Sequence, residues 1–250
     1  MQNFVIALQN DLLAVIVLVA LIFTAVMSVY YIFKSNREIT SIGFYRLLLP
    51  LLALLGIPAA LDLIQTLGYI KFLAGFVFMV FILNLLLPLV DYLRKTPVEN
   101  PRNWIIWSTP VLVAAGLVVA GYLTYVEATA HLVECGVAIP GCVSVQTSSY
   151  AKLFGFLPIA LLGVAGYIVI LATWILQKFV AHNKKDLLSL VLWGVCMFGV
   201  LFSTYLTYLE AFVIHATCSW CILSAVLMIL LLWVSTPKAQ NYFFENEPKS

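Results

Sequence analysis

Long apolar runs recur along the chain, and they decide most of what it can fold into. A helix that crosses the hydrocarbon core of a bilayer needs about 20 mostly apolar residues. Runs of that order occupy residues 11–33, 46–66, 71–92, 106–127, 157–177, 187–212 and 219–235. Each is far too long for a buried strand, and none shows the two-residue alternation of a membrane barrel. Helices are then the way to satisfy the backbone in lipid. The chain therefore reads as an all-α membrane protein with about seven transmembrane helices. Composition agrees: 64% of the residues are hydrophobic and 10% charged, against about 25% charged in a soluble domain. A net charge of +2 gives no reason to expect nucleic acid as a partner. The first residues, Met1 to Asp11, lack the basic region and small-residue cleavage site of a signal peptide.

The distribution of charge orients the runs. Lys34 and Arg37 follow the first run, Arg94, Lys95 and Arg102 the third, Lys178, Lys184 and Lys185 the fifth, and Lys238 the last. These positions alternate as one side of a membrane must. The opposite side carries Lys71 and little else that is basic. Basic loops stay in the cytoplasm, so the expectation is an integral plasma (inner) membrane protein with its N-terminus outside and C-terminus inside. A polar stretch from Arg94 to Pro101, with Pro97 within it, divides the chain. Residues 1–100 read as a three-span region of unknown role, 101–236 as a four-helix domain, and 237–250 as a short disordered cytoplasmic tail. In the first region Asp62 reads as an interfacial residue or helix cap in preference to an ion site.

The chemistry lies in the cysteines. Cys135 and Cys142 fall in one long outer loop, and Cys218 and Cys221 stand as Cys218-Ser219-Trp220-Cys221 at the outer mouth of the last run. All four share the side that is oxidising in a bacterial plasma membrane. The fifth, Cys196, sits mid-run among apolar residues and reads as packing. A Cys-x-x-C pair at a helix start meets unsatisfied N–H groups and the positive end of the helix dipole, which favour the attacking thiolate. Its short ring opens readily. Two other readings are a structural zinc site and static disulfides that brace the outer loops. Pairs at a lipid interface without polar supporting ligands make a poor zinc site, so no metal is expected. A two-residue loop is a weak brace.

Several blocks, in order, resemble the vitamin K epoxide reductase family. They are Cys135 to Cys142 with Ser148, then Leu153-Phe154-Gly155, then Pro158 to Tyr167, then Phe202 to Glu210, and finally Cys218 to Cys221. The resemblance spans about residues 105–236 and looks nearer to prokaryotic homologues than to the animal enzymes. It implies a four-helix bundle around a quinone (ubiquinone, menaquinone or similar), closed at the outer end by a cysteine-bearing cap. It also implies catalytic roles for Cys135, Cys142, Cys218 and Cys221, and quinone contacts for Ser148 and Phe154. Electrons would enter at Cys135 from a separate thioredoxin-like extracytoplasmic protein, pass from Cys142 to Cys218, and leave through Cys221.

Two departures bear on the reaction. The animal enzymes carry a tyrosine where this chain has Ala225, and they present an asparagine where the stretch around Pro158 and Ile159 is apolar. Both favour plain quinone reduction coupled to disulfide formation. The alternatives are a vitamin K quinone or epoxide reductase, or a non-enzymatic membrane subunit with structural disulfides. Among the neighbours, Glu134 reads as a solvated loop charge, Glu210 as interfacial, and His131 and His215 as ordinary interfacial histidines. Tyr205 and Tyr208 read equally as packing or as quinone contacts.

Overall fold

In lipid the unpaired backbone is the costliest group, so apolar runs close their own hydrogen bonds as helices. The computed structural model describes residues 12–33, 102–129, 141–153, 157–180 and 182–245. In chain order these form α1 (Leu12–Phe33), α2 (Arg102–Thr129), the short α3 (Cys142–Thr147) and a 3-10 turn (Ser149–Ala151). A two-stranded antiparallel pair follows, β1 (Lys152–Leu153) and β2 (Leu157–Pro158), with Lys152 opposite Pro158 and Leu153 opposite Leu157. Then come α4 (Ile159–Phe179), α5 (His182–Leu209), a π-helical segment (Glu210–Ile214) and α6 (Ser219–Glu245).

Among the described residues five helices are long and apolar enough to cross a membrane: α1, α2, α4, α5 and α6. They fall on five of the seven runs read from the sequence. The runs at 46–66 and 71–92, and with them Asp62, lie outside the described residues. The protein is an all-α membrane protein. Its outward faces are apolar, as lipid requires: Val19, Val26, Phe179, Phe198 and Leu201 are all exposed.

α6 is the hub. Ile222, Leu223, Val226, Leu227 and Ile229 are all buried, and α1, α2 and α5 pack around the helix. Close approach depends on small residues, as is usual between membrane helices. The backbone of α2 at Gly116 lies against the Tyr167 ring of α4, and Gly199 of α5 lies against Met228 of α6; a Cβ at Gly199 would come within 2.9 Å of Sδ. α1 joins the same core. Near its start Ala14 and Val15 cluster with Ala211, and near its end Ser28 Oγ lies 2.8 Å from Thr236 Oγ1 and accepts from Trp193 Nε1 at 2.7 Å. α1 thus runs parallel to α6, its start at the end of the bundle where α6 begins.

The last helix corrects one expectation. The polar stretch after Thr236 is not a loose tail at its beginning, because α6 continues through Pro237 to Glu245. Ser235 and Thr236 donate their hydroxyls back to the Leu232 carbonyl at 2.8 and 2.7 Å, and Ala239 is fully buried. Hydroxyls that bond back to the backbone help a helix tolerate proline, and packing at Ala239 holds the added turns in place.

Candidate active site

The site begins where α5 fails to end cleanly. After Leu209 the backbone widens into the π-helical segment and turns at His215, whose φ of 53° is left-handed. The Ala216 N–H closes that turn on the Glu210 carbonyl at 3.2 Å. Cys218 then caps α6: its carbonyl accepts from the Ile222 N–H at 3.0 Å. Its own N–H donates to Glu210 Oε2 at 3.2 Å. The Glu210 carboxylate, only 3% exposed, thereby satisfies one of the orphan donors at a helix start and lies at the positive end of the helix dipole.

Cys218 is fully buried, Cys221 is half-buried, and both carry free thiols. Trp220, between them in sequence, is fully buried, with its ring centroid 4.7 Å from that of Tyr122 on α2. That ring pair fixes the start of α6 against the bundle.

α3 covers this corner. Gly141 precedes it, and a Cβ there would lie 2.5 Å from the Thr217 carbonyl oxygen and 2.6 Å from the Thr217 nitrogen. The cap thus lies directly on the backbone that leads into Cys218. Cys142, the first residue of α3, is buried and disulfide-bonded. At the other end of α3 the Ser148 hydroxyl donates to the Val145 carbonyl at 2.7 Å. The serine therefore holds the end of α3 while it also faces the cavity beneath.

That cavity, of about 220 Å³, lies among α2, α4, α5 and α6 under the cap. Its walls are mainly apolar, from residues such as Leu123, Ile159, Phe202 and Met228, and Cys221 and Glu210 stand at its edge. Two polar atoms of the lining are buried with no hydrogen-bond partner among the described residues: Gln146 Nε2 on α3 and Glu127 Oε2 on α2. Ala225 also faces the space, and beside it the Tyr167 hydroxyl is 3.1 Å from Ser224 Oγ. A quinone head is a flat, apolar-faced ring with two carbonyl acceptors. A mainly apolar chamber with a few inward polar groups suits such a ligand, and the Gln146 amide is a buried donor in need of an acceptor. The residues present fit the group.

The structure brings Cys142, Ser148, Cys218 and Cys221 to one end of the bundle. Cys135, Phe154, His131 and Glu134 lie outside the described residues. Tyr205 and Tyr208 are exposed on the lipid-facing side and do not line the cavity; Tyr208 stacks on Phe212 instead, at 5.1 Å. His215 is exposed at the turn, and Cys196 is a buried free thiol in the core. Sequence reasoning missed Glu210, Gln146, Glu127 and Tyr167. The signal for Glu210 was available: an acidic residue at the end of a long apolar run is costly and asks for a function. It read as interfacial because the turn that folds it inward is invisible in a linear pattern.

An all-helical membrane bundle that holds free thiols against an apolar chamber is built as a membrane thiol oxidoreductase. Residues 107–236, just over half of the 250-residue chain, match the model of the vitamin K epoxide reductase family, and the chain belongs to that family. It is an integral membrane oxidoreductase whose disulfide chemistry is linked to a quinone. No curated protein and no solved structure matches the chain.

Proposed function

We propose that the protein oxidises the thiols of a separate thioredoxin-like extracytoplasmic partner and passes the electrons to a membrane quinone, so that disulfide bonds form outside the cytoplasm. The observation that carries this reading is the placement at one corner: the cap headed by Cys142 lies on the backbone that leads into Cys218, and Cys221 stands at the cavity edge.

In this reading the partner's dithiol reduces a Cys135–Cys142 disulfide and becomes a disulfide itself. The Cys142 thiolate attacks Cys218 of the oxidised pair, and Cys135 then resolves the mixed disulfide, which restores the loop bond and leaves Cys218 and Cys221 reduced. Burial of Cys218 under the cap restricts its access to Cys142. A bound quinone supplies a two-electron, two-proton acceptor. Gln146 and Ser148 would orient its oxygens, with Phe154 beside the ring. Ala225 in place of a tyrosine favours plain quinone reduction over epoxide chemistry. The active site faces outward, because the basic residues Lys178, Lys184 and Lys185 belong to the opposite ends of α4 and α5. The starts of α1 and α6 share the outer end.

Purified protein given a reduced thioredoxin-like partner should reduce a short-chain quinone, and Cys221→Ala should abolish this while trapping a Cys142–Cys218 bond. Full quinone reduction by Cys221→Ala would sink the relay.

A further inference from the structure

The relay leaves one buried charged group without a task. Glu210 caps the start of α6 through the Cys218 N–H at 3.2 Å, yet a neutral amide would make the same hydrogen bond. Glu210 also lines the apolar chamber together with Cys221, three residues on from the Cys218 N–H that its carboxylate holds. A buried carboxylate is expensive unless it is well paired. The π-helical widening and the left-handed His215 spend backbone strain to turn it inward, and both devices concentrate at functional sites.

We propose that Glu210 is a catalytic base that takes the Cys221 thiol proton when the Cys218–Cys221 disulfide forms. The proposal rests on the relay reading above. Two S–H bonds break and one S–S bond forms; the electron pair and both protons pass to the quinone, and Glu210 ends as the carboxylate it began. On the α5–α6 wall of this mainly apolar chamber, Glu210 is the one carboxylate among the described residues. Other titratable groups around the corner are placed differently among the described residues. Cys218 is the partner thiol. Glu127 lines the cavity from α2, on the wall away from the α5–α6 joint, with one carboxylate oxygen buried and unpartnered among the described residues. Tyr150 lines the cavity below the cap, Tyr167 is bonded to Ser224, and His215 is exposed outside the chamber.

The test is Glu210→Gln in the full-length protein in lipid nanodiscs, with the pair reduced. Gln keeps an oxygen for the Cys218 N–H and loses both the charge and the basicity. Two readouts should move in opposite senses. The pH midpoint for alkylation of Cys221, mapped by mass spectrometry, should fall by about one unit or more, because a neighbouring anion no longer opposes the thiolate. Quinone reduction should nevertheless slow by about 100-fold, the lower end of what a positioned base contributes. A purely structural cap would move neither readout, and mere suppression of the thiolate would make the variant faster. An unmoved midpoint, or turnover within threefold of wild type, overturns the proposal. Should Glu210→Gln fail to fold, seen as ready alkylation of the core thiol Cys196, Glu210→Asp decides. It keeps a carboxylate at shorter reach and should retain measurable turnover; inactivity equal to that of Cys221→Ala overturns the proposal. Failure of the relay itself would show separately, as quinone reduction that survives Cys221→Ala.

Discussion

Gly141 is where one hydrogen atom sets the fit between cap and pair. Its φ of −76° is open to any residue, so glycine is not there for conformational freedom. It is there because backbone stands in the way: the Thr217 oxygen and nitrogen lie 2.5 and 2.6 Å from where a Cβ would be, and the Ala216 carbonyl carbon lies at 3.1 Å. A flexible side chain could swing aside, but backbone held by the Cys218 cap cannot. Gly141→Ala should therefore cost about 1–3 kcal/mol, the range for overpacking a close contact. It should also slow the trapping of Cys142 by Cys218 in a Cys221→Ala background. Thermal unfolding in detergent checks the first effect and non-reducing gels over time the second; an unchanged melting temperature contradicts the contact. None of this was legible in the sequence, where the residue is one glycine within the stretch from Cys135 to Cys142. The placement of Cys218 and Cys221 at the start of the last helix was legible, because position along an apolar run needs no third dimension. Glu210 and Gln146 acquire theirs only when α5 turns and α3 folds over the cavity.

At the scale of elements, the informative piece is the joint between α5 and α6. The sequence places the end of one run near residue 212 and the start of the next at 219, and the two helices do meet there. What it hides is the five-residue π-helical segment, Glu210–Ile214, and the left-handed residue that ends it. Nothing in Glu-Ala-Phe-Val-Ile announces a widened turn, and glycine or asparagine is the usual occupant of a left-handed position. His215 is exposed, so its side chain is not held there by packing. The backbone around it must hold the conformation, through the Ala216 N–H to the Glu210 carbonyl. His215→Gly should then be neutral or stabilising, whereas a β-branched side chain adds left-handed strain. The melting comparison should put His215→Val about 1–2 kcal/mol below His215→Gly. Equal stabilities of the two variants would mean that the joint does not hold this conformation. The same joint aims Glu210 at the pair, so His215→Val should also reduce quinone turnover.

At the scale of the whole molecule, the fold class and the bundle were readable because lipid leaves so few options: run length gave the helices, and charge alternation gave their relative direction. The placement of α1 was not readable. The family match starts at residue 107, and hydropathy does not say which helix a distant apolar run will touch. The answer lies in three polar side chains that sequence reading passes over. Ser28 of α1 receives the Trp193 indole N–H of α5 at 2.7 Å and stands 2.8 Å from the Thr236 hydroxyl of α6. Ser28 and Thr236 are buried, and one serine joins three helices at the end of the bundle opposite the cysteines. Hydrogen bonds between membrane helices contribute about 0.6 kcal/mol on average and up to about 1.7, so the loss of both contacts in Ser28→Ala should cost about 1 kcal/mol. The stronger test is coupling. Trp193→Phe removes one of the two contacts and leaves an apolar ring in place. If the bond exists in the bilayer, the double variant should be less destabilised than the sum of the single ones, because the second substitution removes a bond already lost. Unfolding in bicelles measures all three. Strict additivity would mean that Ser28 and Trp193 do not meet, and α1 would then lose its strongest polar tie to the catalytic bundle. Coupling would make α1 a fifth wall helix, fixed at its far end by this bridge and at its near end by Ala14 and Val15 against Ala211, the residue after Glu210. The N-terminal helix would then buttress the turn that positions the active-site carboxylate.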